Sequence, residues 1–269
     1  MNIKDMLKRD FDLELNIASG SGKSRDDPII VLDFNSLEAS RTVMKLLMGL
    51  GMGRGILWRV LARNLFKHNK FSIEQIEIET KDITDTEIIT TRENYYFDVS
   101  KVITYQDHLP DVIAFSDEGV KLDFPFELGW LHFKGITDHE SLVSGLGKGI
   151  AYGALGIKAT VYVYDNTRSD ISDDIDSSID VQKEFKRAVF DFIEANPTAG
   201  SSGELSIYKG FLIQAFSIGE NFSIIGLSVF SGKFIKLRIT HVQDALLVDV
   251  SNQFIASVDA TLAASNIVH

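Results

Sequence analysis

The segment Ile157-Lys158-Ala159-Thr160-Val161-Tyr162-Val163-Tyr164 constrains the fold more than any other. Ile157, Ala159, Val161 and Val163 alternate with Lys158, Thr160, Tyr162 and Tyr164. A period of two places one set on each face of a strand, with one face buried. Farther on, Ser231-Gly232 separates the runs Phe222–Phe230 and Lys233–Thr240 by two residues, the length of a tight hairpin connection. Strands joined this closely pair antiparallel. Further strands are predicted over Phe124–Phe133 and Leu205–Ser217. Val181, Phe185, Val189 and Phe192 recur at helical spacing, and Asn196-Pro197 ends that helix. Ser177 with Asp180 three residues later fits a capping box at its start. Leu247, Val250, Phe254, Val258 and Leu262 form one face of a closing helix. The order is β-β-α-β-β-β-α. Helices set apart from a run of adjacent strands imply an α+β layer, not alternating βαβ units.

The first region reads as ββααββ. Phe11, Leu13, Leu15 and Ile17 alternate with polar residues and predict a strand, and Ile29–Leu32 predicts a second. From Leu37 to Phe66 the spacing is helical. Gly49, Gly51, Gly53 and Gly55 interrupt it, each costing ~1 kcal/mol against Ala in a helix interior. Two helices meeting at a bend are therefore expected. Ile73, Ile76 and Ile78 predict one strand, and Ile88–Phe97 another. Composition divides the chain in the same place. Residues 1–110 carry net charge −2 and five Phe; residues 111–269 carry −9 and 13 Phe. Two domains are expected, 1–110 and 111–269, meeting around His108-Leu109-Pro110-Asp111.

Several chemistries are excluded or lack their motif. With no Cys there is no disulfide, thiolate nucleophile or Cys-ligated metal. Charges interrupt the N-terminal MNIKDMLKRDFDLELN, so it has no apolar signal-peptide core. No run of about 18 apolar residues predicts a membrane-spanning helix. A cytoplasmic protein is expected. A net charge of −11 argues against nucleic acid as a partner. Gly20-Ser21-Gly22-Lys23-Ser24 lacks the Gly that a phosphate loop needs at position 17, which is Ile17. Neither the run Gly49–Gly55 nor Gly145, Gly147 and Gly149 matches the dinucleotide fingerprint, because Arg54 and Ile150 occupy the third Gly places. They read as bends or strand ends. Asp165, Asp170, Asp173, Asp174, Asp176 and Asp180 form an acidic run. A calcium loop starting at Asp174 would need Gly and Glu where Ile179 and Phe185 stand. The six histidines show no metal-ligand spacing. No cofactor and no metal are expected, and no catalytic residue can be named.

One local feature stands out. Between Glu38 and Glu74 there is no acidic residue, while Arg41, Lys45, Arg54, Arg59, Arg63, Lys67 and Lys70 are basic. Arg59, Arg63 and Lys67 fall at i, i+4 and i+8 and share one face of the predicted helix. With Arg54 they are the candidate binding residues. A solvated helix face is the plain reading. The sharper one is a basic amphipathic helix meeting anionic lipid, an acidic partner or the acidic second domain, with Trp58 as an anchor.

Gly156–Asp165, the helix from Val181, and Phe234-Ile235-Lys236-Leu237-Arg238-Ile239-Thr240 before a last helix carry a resemblance. Over roughly Leu122–Ala264 the chain resembles uncharacterised bacterial domains of the PsbP-like α/β sandwich type. That resemblance rests on element order and strand texture, and it covers none of the first region. It implies a binding or assembly role, as the group has in photosystems and with a small GTPase. The expected function is thus a non-catalytic module recognising a partner or an anionic ligand. The alternatives are an enzyme acting on a small polar substrate at the domain junction, and a structural subunit of a homo-oligomer.

Overall fold

A computed structural model describes residues 3–18, 20–83, 87–102, 111–172, 175 and 178–267. The contacts between Cα atoms gather into two units, Met1–Val112 and Ile113–His269. His108, Leu109 and Pro110, where the boundary was expected, lie outside the described residues. The architecture is α+β with mostly antiparallel strands.

The first unit contains α1 (Ile3–Phe11), β1 (Ile29–Ile30), α2 (Ser36–Arg54), β2 (Leu57–His68), β3 (Phe71–Ile83) and β4 (Ile88–Asp98). Its sheet runs β1-β4-β3-β2, with β1 parallel to β4 and the other neighbours antiparallel. Two expectations fail here. The strand over Phe11–Ile17 does not form: the chain is helical through Phe11, and Ile17 makes only an isolated bridge to Val31. Leu7 of α1 is fully buried, and a Cβ added at Gly49 would lie 2.6 Å from its Cδ2. Gly49 therefore permits close approach of the two helices and makes no bend. At Gly51 the same atom would strike the Trp58 ring. So α2 runs unbroken through its glycines.

The second predicted helix is in fact β2. A bulge between Val60 and Ala62 inserts one unpaired residue into this strand. The extra residue switches side-chain parity midway. Leu57, Val60, Leu61 and Leu65 then lose the period of two and imitate helical spacing.

The second unit contains β5 (Ile113–Asp117), β6 (Leu122–Pro125), β7 (Glu127–Leu128), β8 (Leu131–Asp138), β9 (Lys148–Ala154), β10 (Ile157–Tyr164), α3 (Ile179–Ala195), β11 (Gly200–Ser201), β12 (Ser206–Tyr208), β13 (Phe211–Ile218), β14 (Asn221–Phe230), β15 (Lys233–Val242) and α4 (Ala245–Ile267). Nine strands form one sheet in the order β11-β13-β14-β15-β10-β9-β8-β7, with β12 also on β13. Strands β5 and β6 pair separately. The alternating segment at 157–164 is the central strand β10, paired along its length with β15 and β9. Ser231-Gly232 is the expected hairpin turn, with φ of 47° and 75°. Positive φ at both positions is the geometry that matches strand twist.

The expected seven-element order is too short. The predicted strand Phe124–Phe133 is divided among β6, β7 and β8, and β9 was not foreseen. Gly149 and Gly153 blank out its alternation. Helix α3 begins one residue later than the capping box implied. Ser178 is its N-cap, accepting the Val181 N–H at 3.3 Å, and Ser177 lies outside the described residues.

The two long helices lie on opposite faces of this sheet. Val181, Phe185, Ala188 and Phe192 of α3 pack with Leu212, Phe216, Ile225, Leu227, Tyr164 and Phe234. On α4, Phe254 meets Tyr152 with ring centroids 5.7 Å apart. Tyr152 pairs with Ala159, whose side chain is of opposite parity to Tyr164.

Candidate functional site

The four candidate basic residues do not form one surface. Because Arg59, Arg63 and Lys67 lie on β2, the predicted helix face does not exist. Arg59 pairs with Glu79 across the strands, and Arg63 is opposite Ile76. Glu79 and Ile76 have opposite parity on β3, so the bulge sends the two guanidinium groups to opposite faces. Their partners are close. Arg59 Nη2 is 2.8 Å from Glu79 Oε2. Arg63 Nη2 is 2.6 Å from Glu74 Oε1, with Glu74 fully buried and Arg63 only 16% exposed. Arg54 Nη1 reaches Glu93 at 2.5 Å. Lys67 stands opposite Ser72. The Gly-rich loop is committed in the same way. Lys23 Nζ donates to the Tyr95 hydroxyl at 2.9 Å and to Glu93 at 3.0 Å, fastening the loop to β4. These cations are spent inside the unit.

Helix α3 covers the sheet face over β13, β14 and the near part of β15. Beyond it the same face continues over β10, β9 and β8. Register assigns its side chains. Lys236 and Arg238 of β15 are opposite Tyr162 and Thr160 of β10. Lys158, Thr160 and Tyr162 are opposite Gly153, Ala151 and Gly149 of β9. Thr137 and Gly135 of β8 follow. A Cβ added at Gly153 would lie 3.5 Å from Lys134 Cε, so Lys134 crosses the glycine on this same face. Four cations thus share this face: Lys134, Lys158, Lys236 and Arg238. The strand positions on this face of β8, β9, β10 and β15 include no carboxylate. With strands ~4.8 Å apart, the patch spans roughly 15 Å across the four strands. Its floor is Gly149, Ala151 and Gly153, with His139 and Tyr162 closing over Gly149 and Lys134 over Gly153. Lys158 and Arg238 are exposed.

At the edge of α3 this face deepens into a pocket of about 120 Å³, lined by Tyr162, Asp191, Phe192, Ile225, Lys236 and Arg238 among others. The Lys236 ammonium lies 4.7 Å from the Tyr162 ring centroid and 5.3 Å from that of Tyr164. Burial pulls its pKa below the ordinary lysine value, against the opposing pull of Glu184. Arg238 lies over Phe192 at 5.3 Å. Beneath, buried Glu184 accepts from the Tyr164 hydroxyl at 2.8 Å and from Asn166 Nδ2 at 3.1 Å. Burial and the adjacent Glu184 carboxylate push the Tyr164 pKa upward, so this phenol stays a donor.

A larger concavity of about 530 Å³ is lined by Asp117, Glu118, Glu140, Lys148, Asp165 and Lys233 among others. Much of its charge is used internally. Lys233 Nζ binds Asp117 at 2.9 Å. The Glu140 carboxylate accepts the N–H groups of Gly145 and Gly147, each at 2.9 Å to Oε2, and these bonds hold its pKa below the ordinary value. Asp165 Oδ1 accepts the Thr167 N–H at 2.8 Å. The acidic run is partly neutralised too: Arg168 binds Asp180 at 2.8 Å and Asp170 at 3.3 Å. Asp173, Asp174 and Asp176 lie outside the described residues.

Among the described residues, no group of three or more His, Asp or Glu is placed to hold a metal ion. Nor is any described helix long and apolar enough to cross a membrane. Comparisons with protein-family models, curated proteins and solved structures match nothing. The basic face was missed by sequence reading although Lys158, Lys236 and Arg238 all stood in recognised strands. Their signal is parity: each occupies the polar phase of its strand. Only the pairing of β10 with β15 shows that the two phases coincide.

Proposed function

We propose that the chain is a binding protein for an anionic ligand, presented by a small molecule or by an acidic segment of a partner. The binding surface is the sheet face beyond α3, over β15, β10, β9 and β8. One observation carries this reading: Lys134, Lys158, Lys236 and Arg238 share a face on which β8, β9, β10 and β15 place no carboxylate, bordered by Glu127 of β7 and Asp191 of α3, within a region of net charge −9. Acidic side chains elsewhere on this half of the molecule repel an anion from other approaches and leave this face as the attractive one. Thr160, Thr137 and Tyr162 add hydroxyl donors. The 530 Å³ concavity fits less well, because several of its carboxylates already hold turns and an ion pair. A PsbP-like kinship of residues 122–264 belongs to the same proposal, since that group serves in binding and assembly.

Citrate and inositol hexakisphosphate are suitable probes at constant ionic strength. A polyanion at 100 times its Kd adds ~2.7 kcal/mol and raises the melting temperature of a unit this size by about 5–10 °C. The double variant Lys158→Gln/Arg238→Gln loses that gain while melting normally without ligand. Equal gains in the parent and the double variant refute the proposal.

A further inference from the structure

The pocket at the edge of α3 contains more than positive charge. We propose that Lys236 is a nucleophilic amine that condenses with the carbonyl of a small oxo acid seated there, while Arg238 holds the acid's carboxylate. The proposal rests on the anion-binding reading only for the docking of that carboxylate.

Three observations support it. First, Lys236 lies against two aromatic rings, 4.7 and 5.3 Å from their centroids. Ring faces attract a cation, but they replace its water poorly and accept no proton. Second, the charged groups that face it do not form a simple pair with it. Glu184 and Asp191 of α3 favour the ammonium, Arg187 of α3 and Arg238 of β15 oppose it, and loss of water outweighs them. Glu184 is moreover engaged by Tyr164 and Asn166. A desolvated lysine beside another cation is the arrangement that frees an amine for carbonyl chemistry. Third, the adjoining space of about 120 Å³ combines an apolar wall, Ala188, Phe192 and Ile225, with Arg238 and Asp191. It suits a molecule of a few heavy atoms with one acidic end. Arg238 is two residues from Lys236 on the same strand face, so their Cα atoms are ~7 Å apart. Both long side chains can meet adjacent groups of one small ligand.

The step balances without a further reactant. The Lys236 ammonium gives one proton to Asp191 or to water, and the free Nζ lone pair attacks the carbonyl carbon. The carbonyl π bond breaks onto oxygen, which is protonated to give a carbinolamine. Return of a proton lets that hydroxyl leave as water, and the C–N double bond forms as an iminium. The sum is ammonium plus carbonyl giving iminium plus water, with no oxidation or reduction.

Glyoxylate and uncharged acetaldehyde, each with cyanoborohydride to trap the iminium as a secondary amine, provide the test. Peptide mass spectrometry of the intact folded chain reads the rate at every lysine. A lowered pKa leaves more of the amine free at neutral pH, so glyoxylate is expected to modify Lys236 faster than exposed Lys158. Arg238→Gln is expected to bring the glyoxylate rate at Lys236 down to that of acetaldehyde. Labelling of Lys236 no faster than Lys158 overturns the proposal, as does a glyoxylate rate unaffected by Arg238→Gln. If citrate still raises the melting temperature while Lys236 stays unlabelled, the amine chemistry fails and the anion-binding reading stands. If neither occurs, both fail.

Discussion

The assignment of Arg63 to the interior of its own unit has a measurable consequence. Glu74 is fully buried, and Arg63 meets it at 2.6 Å with only 16% of the arginine side chain exposed. A second carboxylate, Asp111, is 3.5 Å away but 88% exposed, so it contributes little. Replacing Arg63 by Leu leaves the buried carboxylate without its cation, which typically costs about 3–5 kcal/mol. Replacing Glu74 by Leu should cost less, about 2 kcal/mol, because the partly exposed guanidinium retains some water and Asp111. The pair Arg63→Leu/Glu74→Leu removes both charges and should cost no more than ~1 kcal/mol. The chain has two tryptophans, and Trp58 is the one in the first unit. In a Trp130→Phe background its fluorescence follows urea unfolding of that unit. With a slope near 1.2 kcal/mol per molar for about 110 residues, Arg63→Leu alone should lower the midpoint by roughly 2–4 M. The decisive result is the sign of the coupling: the double variant must be more stable than Arg63→Leu. Additive losses would show that the two side chains do not support one another, and Arg63 would again be available as a ligand-binding cation.

Two further outcomes concern the loop that Glu140 closes. Gly147→Ala places a methyl 1.8 Å from the Val163 carbonyl oxygen at a φ of 61°. It should destabilise the second unit by more than ~2 kcal/mol in thermal unfolding, and a loss below ~0.5 kcal/mol would contradict that geometry. Glu140 has its folded pKa lowered from the ordinary 4.5, first by the Gly145 N–H and then by that of Gly147. Its contribution is therefore complete above pH 4.5 and is lost as pH falls below that through the folded value. The difference in melting temperature between the parent and Glu140→Ala should shrink on acidification from pH 7 to pH 3. A constant difference would mean that the bonds to Gly145 and Gly147 do not depend on the charge.

Sequence reading succeeded where one physical signal governed a whole element. The alternation at 157–164, the two-residue turn at Ser231-Gly232 and the apolar stripe of α4 all appear in the structure at their expected places. It failed where a second effect overwrote the period. One bulge residue made β2 look helical. Glycines chosen for close helix packing, as at Gly49 against Leu7, looked like breaks in α2. In β9, Gly149 and Gly153 removed the side chains that would have shown the strand. α1 was lost because Phe11, Leu13, Leu15 and Ile17 alternate from its last residue onward, where the chain makes only one bridge.

The functional reading turned on the same point. A run of basic residues along a sequence says nothing of where their charges are spent. In the first region, Arg54, Arg59 and Arg63 came from the most conspicuous such run, and each meets a glutamate. Those glutamates lie on β3 and β4, outside the acid-free window that made the run conspicuous. In the second region the net charge is strongly negative, although Lys233, Lys236 and Arg238 fall in a stretch free of acids between Glu220 and Asp244. Yet a paired sheet converts parity into position. Lys158 sits on one strand and Lys236 and Arg238 on its neighbour, while Lys134 reaches in from a third across a glycine. Acidic residues of that region fall in turns, on helices or at other positions, so the average conceals a cationic face. For an antiparallel protein of this kind, a charge count made by sheet face after pairing is known groups different residues from a count made along the chain.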